Sequence, residues 1–396
     1  MNNALRIFKI RGIDIKLHIT FPLILIWGAL AFGPFRNGGW EGALFGILVT
    51  SLVFVIVVLH ELGHSVAAMR YGIPVKQIVL LPIGGVAQLK EIPEDPRKEL
   101  VIAAAGPLVN LVLAIVLAVL APVLGQPLNL SNLFGFPTSL GVLSISSIYS
   151  YIFSTNLFIG VFNLIPAFPM DGGRILRALL ATRLSYLKAT SLAVSIGQVL
   201  SWGFGLIGFL NGNFFLILLA IFIYTGAGQE GRMVQIKNVL GDLRVEQAYS
   251  RGARSINQDE PIETALHLTL NSFQSNFPIC EDGKLVGVLP YQRLVASLEK
   301  NELNTPIREV MQTGIQPVSS KDKLVDVQVK MSTQGVDALP VVDGETFLGM
   351  ITSQDLNEAY RLNLAIGKSR LRPAAGEGAG SPGQPSIEAA EKSTLV

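Results

Sequence analysis

From residue 17 to residue 229 the chain is dominated by long apolar runs separated by short polar stretches. A helix needs roughly 20 apolar residues to cross a ~30 Å hydrocarbon core. Six runs approach that length, at 17–34, 43–69, 100–122, 148–165, 190–210 and 214–229. The last two are parted only by the tight polar turn Asn211-Gly212-Asn213. This pattern predicts a polytopic α-helical membrane protein with about six transmembrane helices; the buried helices of a soluble protein would give fewer and shorter runs. Residues 73–89 break the helical pattern with β-branched residues around Gly84-Gly85. They read as a membrane-associated β-hairpin, whose edge either pairs with an unwound peptide strand or is a simple connector dipping into the interface.

Beyond about residue 240 the period changes to short β-branched strands and amphipathic helices, a soluble α/β pattern. It contains a repeat. Asn276-Phe277-Pro278-Ile279 returns as Ala338-Leu339-Pro340-Val341, and Leu285-Val286-Gly287-Val288-Leu289 as Phe347-Leu348-Gly349-Met350-Ile351. Each unit reads as helix, strand, strand, helix, with an Asp-Gly turn between the strands. The expected organisation is a membrane domain over 1–235, repeats over 244–300 and 306–362, and a tail over 363–396. The tail is rich in Gly, Ala, Ser, Pro and Glu and is expected to be disordered.

Charge sets the orientation. Arg6, Lys9, Arg11 and Lys16 precede the first span; Arg70, Lys76, Lys90, Arg97 and Lys98 follow the second; Arg174, Arg177, Arg183 and Lys188 follow the fourth. The opposite loops hold only Arg36. The positive-inside rule then predicts a multi-pass cell-membrane protein with cytoplasmic N- and C-termini. The first run follows a basic N-terminus and is followed by more spans, so it is expected to be a retained anchor. A net charge of +2 with no basic stripe argues against a nucleic-acid partner. The single cysteine, Cys280, excludes an internal disulfide and a thiolate metal cluster, and four histidines leave few candidates for a metal site.

The chemistry concentrates in His60-Glu61-Leu62-Gly63-His64, directly after the apolar run Ser51–Leu59. On a helix His60 and His64 share one face and can reach one zinc ion, with Glu61 beside it to take a proton from water. A polar cluster at a wet helix end is the plainer alternative, but buried intramembrane charges need partners. Zinc requires a third protein ligand. Asp171 is the better candidate, in Asn163-Leu164-Ile165-Pro166-Ala167-Phe168-Pro169-Met170-Asp171-Gly172-Gly173, where two prolines stop an apolar helix. Irregular backbone at membrane depth is tolerated inside protein or at a wet cavity; the plainer alternative is a capping Asp in a cytoplasmic turn. Ala104-Ala105-Gly106-Pro107 suggests close helix packing, and Asn110 is read as bonding to a neighbouring helix rather than to the site.

Together these motifs resemble the site-2 protease family of intramembrane zinc metalloproteases, peptidase family M50. Within it, the chain is similar to the six-helix branch that carries C-terminal CBS domains. The resemblance covers roughly residues 1–362. It implies one zinc per chain held by His60, His64 and Asp171, with Glu61 as catalytic base. Asn163 would then contact the substrate carbonyl or developing oxyanion, or else bond backbone freed by Pro166. The implied substrates are single-span membrane proteins cut within or near their transmembrane segments. The repeat resembles a tandem CBS pair, which implies an adenosine nucleotide such as ATP or AMP and a homodimer formed through the pair. In that family a Ser/Thr and an Asp after the second strand contact the ribose. Thr352 and Asp355 keep the pair, whereas Pro290 and Arg293 replace it in the first repeat, so at most one well-formed nucleotide site is expected. The competing function is a non-catalytic scaffold or nucleotide sensor with a structural zinc. A transporter would show polar residues spread over several spans and symmetry among them, and neither is visible.

Overall fold

The structure is a computed structural model that describes residues 4–36, 38–82, 84–89, 93–126, 143–272, 274–281, 284–344 and 346–370. The chain forms two compact units, Met1–Gln235 and Ile236–Val396.

The first unit opens with strands β1 (Ala4–Ile10) and β2 (Ile13–His18), which are antiparallel. A short apolar helix, α1 (Pro22–Phe32), follows, then α2 (Gly39–Arg70), whose 32 residues span about 48 Å. The predicted hairpin is present as β3 (Val75–Leu81) and β4 (Gly84–Leu89). Strand β2 pairs parallel to β3, giving a four-stranded sheet in the order β1-β2-β3-β4 with β4 at one edge. Helices α3 (Pro96–Val123), α4 (Ile145–Asn163), α5 (Asp171–Ala181), α6 (Tyr186–Leu210) and α7 (Phe214–Leu240) complete the unit, α7 running on into the second unit.

Five helices, α2, α3, α4, α6 and α7, are long and apolar enough to cross a membrane. The expected first span is shorter than its hydrophobic run. Leu17 and His18 are drawn into β2, and the 11 residues of α1 reach about 16 Å, less than a bilayer core. The strict alternation of Ile13-Asp14-Ile15-Lys16-Leu17 fits a strand, but in sequence so short a segment reads only as a basic terminus. Its inward residues Ile13 and Ile15 are fully buried with Ile78 and Leu80 of β3 and Phe54 and Val58 of α2, so the sheet is anchored on the helix that carries the histidines.

Local sequence sets the helix ends. Asp95 caps α3 by accepting from the Arg97 and Lys98 amides, with Pro96 in the first helical position. Ser144 caps α4 by accepting from the Ser147 amide. Gly72, at φ +75°, releases the chain from α2 into β3.

In the second unit the repeat is realised as α8 (Ile262–Asn271), β5 (Phe277–Glu281), β6 (Lys284–Leu289) and α9 (Tyr291–Glu299), then β7 (Val318–Ser319), α10 (Leu324–Gln334), β8 (Ala338–Asp343), β9 (Thr346–Thr352) and α11 (Ser353–Arg370). The β5–β6 and β8–β9 pairs are both antiparallel. The parallel β7–β8 pairing at Val318 has its counterpart in a single parallel bridge between Ile256 and Ile279. Helix α11 continues to Arg370, past residue 362 where the tail was expected to begin, and residues 371–396 lie outside the described residues.

Candidate metal centre

Helix register and one loop bring three donors together. His60 and His64 are buried on α2, one turn apart. Asp171 is the first residue of α5, delivered by the turn that follows α4. His60 Nε2, His64 Nε2 and Asp171 Oδ2 form a triangle with all three sides 3.1 Å. Among the described residues this is the one group of three or more His, Cys, Asp or Glu whose donor atoms gather within 4.8 Å.

The outer ring nitrogens decide what faces inward. His64 Nδ1 lies 2.7 Å from the Ile102 carbonyl, which can only accept. His60 Nδ1 lies 2.5 Å from Asn110 Oδ1. Asn110 is held in that sense because its Nδ2 donates to Asn156 Oδ1 at 2.9 Å, while Asn156 Nδ2 donates to the Asn110 carbonyl at 2.8 Å. Both Nδ1 atoms are thereby assigned as donors, and both Nε2 lone pairs point at the carboxylate oxygen's side of the same small space. Three converging acceptors repel one another unless a cation lies among them. Ligand bonds of ~2.0–2.1 Å in a tetrahedron would set donors roughly 3.3 Å apart, close to the observed triangle. Two imidazoles and a carboxylate with a fourth direction open suit zinc.

Glycine makes room for this arrangement. A Cβ on Gly106 of α3 would stand 2.7 Å from His60 Nε2 and would also overlap the His64 ring. A Cβ on Gly63 would stand 2.7 Å from the Ala105 carbonyl, so α2 and α3 touch backbone to backbone behind the histidines. Gly85 of β4 packs on Glu61, where a Cβ would be 2.8 Å from Cγ. The hairpin therefore lies directly over the glutamate.

His60, Glu61, His64, Asn163 and Asp171 all line one cavity of 640 Å³. Its other walls are chiefly apolar and include Trp27 of α1, Phe54 and Val57 of α2, and Ile159 and Phe162 of α4; Gly84, Gly85 and Arg174 also line it. Asn163 donates from Nδ2 to the Ile159 carbonyl at 3.0 Å, one turn back on its own helix. The turn after α4 is clamped tightly. Ala167 and Phe168 are buried, and added Cβ atoms would stand 2.7 Å from Pro169 at Gly226 of α7 and 3.3 Å from Ala167 at Gly197 of α6.

Two asparagines support the site in a way that local sequence does not show. Asn110 bonds both to its neighbouring helix, through Asn156, and to His60, so the expectation of a purely interhelical role is corrected. Asn156 was legible as a polar residue inside an apolar span, a signal that marks function or helix bonding, but nothing local ties it to a residue 46 positions away.

Thr352 and Asp355 lie in the second unit. The Thr352 amide and hydroxyl both donate to Asp355 Oδ2 at 2.8 Å, and Ser250 Oγ donates to Oδ1 at 3.2 Å. Both residues line a cavity of 840 Å³ that Arg251, Arg254 and Arg293 also border. Arg293 spends its guanidinium on the Val310 and Met311 carbonyls, each at 2.9 Å.

Two histidines and a glutamate in His-Glu-x-x-His register, completed by a carboxylate from a distant turn among membrane-length helices, define a class: a membrane metalloprotease. The family model for peptidase family M50 matches residues 48–204, and that for the CBS domain matches 245–300 and 307–362. A zinc metalloprotease of Methanocaldococcus jannaschii is 37% identical over 362 residues, which are 91% of this chain and 97% of that protein. Stage IV sporulation protein FB of Bacillus subtilis is 31% identical over 156 residues, 38% of this chain and 48% of that protein. A solved structure, the site-2 protease from Methanocaldococcus jannaschii, is 44% identical, covers 58% of this chain and 95% of that chain, and superposes with a TM-score of 0.41. The chain belongs to peptidase family M50, the site-2 protease family, and is a zinc metalloprotease of the membrane with a tandem CBS pair.

Proposed function

We propose that this protease hydrolyses peptide bonds within or next to the transmembrane segments of single-span membrane proteins. The observation that carries the reading is the donor triangle with Glu61 at the wall of an apolar cavity built from membrane-length helices. His60, His64 and Asp171 would hold the zinc. When bound, the ion supplies an acidified water and an electrophile for the scissile carbonyl. Glu61 accepts the proton and passes it to the leaving amine. Asn163 has one amide N–H committed to Ile159 and a second to offer the substrate carbonyl or its developing oxyanion. The apolar walls keep bulk water from the charges that form.

A substrate helix has closed its own backbone hydrogen bonds and must open before it can react. Strand β4 is a sheet edge, and its first residues lie beside Glu61. That supports capture of the unwound segment as an added strand. With both termini cytoplasmic, as the loop charges favour, His60 sits ten residues before Arg70 at the cytoplasmic end of α2, about 15 Å along the helix.

The test uses the full chain in lipid nanodiscs with a single-span substrate, the products being weighed by mass spectrometry. Cuts inside the spanning segment are expected. Cuts confined to soluble loops more than a few residues from the span would overturn the intramembrane reading.

The same proposal assigns the cleft bordered by Thr352 and Asp355 to an adenosine nucleotide that modulates cleavage. Asp355 supplies a carboxylate fixed by three donors, and the neighbouring arginines suit phosphate. Saturating AMP or ATP should raise the unfolding temperature of the CBS pair, and Asp355→Ala should remove most of that shift. An equal shift in the variant would remove Asp355 from the site.

A further inference from the structure

Arg177 carries no role in the chemistry above, yet its side chain is wholly buried in the membrane unit. A buried guanidinium must be paired and hydrogen-bonded. Its Nε donates to Glu99 Oε1 at 2.8 Å, its second terminal nitrogen also bonds Glu99 Oε1, and the other donates to Glu230 Oε1 at 2.7 Å. Its plane is held between two rings, with Cζ 5.0 Å from the Phe168 centroid and 4.9 Å from that of Tyr186. One side chain thus joins α5 to α3 through Glu99, to α7 through Glu230, to α6 through Tyr186, and to the turn before Asp171 through Phe168.

These contacts fall where the metal site is set. Glu99 lies one helical turn before Ile102, whose carbonyl orients His64. Phe168 lies three residues before Asp171, and Arg177 lies on the helix that Asp171 begins. The clamped turn is too tight to adjust on its own: a Cβ at Gly173 would stand 2.6 Å from the Ala167 carbonyl carbon. From this we infer that Arg177 is a positioning residue for the zinc site. Its bonds to Glu99 fix α5 against the turn of α3 that orients His64, and its stack on Phe168 fixes the turn that presents Asp171. The inference rests on the assignment of Asp171 as a ligand.

Arg177 is suited to this and lysine is not, because a planar fork can bridge two carboxylates while stacking between rings, whereas an ammonium acts as a point charge. The test measures zinc affinity and the visible spectrum of the cobalt-substituted full chain in detergent, for Arg177→Lys, Glu230→Gln and the neutral double variant Glu99→Gln/Arg177→Gln. Unfolding temperature is read in parallel and Asp171→Ala serves as reference. Loss of a group bonded directly to a metal ligand weakens binding by about 10–100-fold; Arg177 acts one contact further out, so the lower end of that range, about tenfold, is expected for Arg177→Lys and the double variant, with a changed cobalt spectrum. Glu230→Gln keeps the Glu99 link and should weaken binding less. Wild-type zinc affinity and an unchanged cobalt spectrum in Arg177→Lys, or in the double variant should the lysine variant not fold, would show a role in stability alone and overturn the inference. If Asp171→Ala itself keeps full zinc affinity, the ligand assignment fails instead, and the two failures are told apart.

Discussion

Asp171→Ala is expected to leave the protein with well under one zinc per chain after dialysis, and without proteolysis. His60 Nε2 and His64 Nε2 would keep their positions, since their Nδ1 atoms are tied to Asn110 and Ile102. Two imidazoles alone are a weak site for a metal that takes three protein ligands in its hydrolytic centres. The variant removes the one anionic donor of the triangle. It also leaves the two Nε2 lone pairs 3.1 Å apart with no third donor to complete the set. His60→Ala and His64→Ala should behave alike. Metal content by mass spectrometry, with folding checked by circular dichroism, decides the matter. Stoichiometric zinc in folded Asp171→Ala would place the third ligand elsewhere and remove the reading of the turn after α4.

Glu61→Gln should do the opposite to the metal and the same to the chemistry. Glu61 is no member of the donor triangle, so one zinc per chain is expected to remain. The amide has nearly the same shape and still packs beneath Gly85, but it cannot accept the proton of the attacking water. General acid–base catalysis contributes about 10²–10⁴ in rate, or ~3–5 kcal/mol of barrier at 1.36 kcal/mol per decade. Cleavage of a single-span substrate should fall by at least that factor, measured with wild type and variant at matched zinc. If cleavage persists within about tenfold of wild type, the proton is moved by another group and Glu61 has a structural place only. If zinc is lost as well, the glutamate belongs to the metal site. A scaffold with a structural zinc would show no cleavage in either protein.

Much of this was readable from local pattern. Hydrophobic length marks the membrane helices because a bilayer core demands it. The His60–His64 spacing places both rings on one face because a helix repeats every 3.6 residues. The 62-residue recurrence of strand pairs in the second unit follows from each repeat being one supersecondary unit, and it reappears in β5–β6 and β8–β9. Asp171 stood out because prolines and a carboxylate interrupt an apolar run, which lipid alone would not tolerate.

Only the tertiary structure decided what lies beyond those local rules. That β2 pairs with β3 across 63 residues, shortening the first helix, depends on a strand partner chosen in space. Asn110 and Asn156 could each have satisfied any neighbouring helix; the packing of α3 on α4 and α2 made them the support of His60. Gly106 reads as one more small residue until α3 is seen lying against both Nε2 atoms. Arg177 and Glu99 look in sequence like loop charges near a membrane surface, yet they form a buried pair on two helices 78 residues apart. Helical and bilayer periodicity act within a segment and so are written in it. Side-chain partners across helices are set by which faces meet, and no segment carries that information by itself.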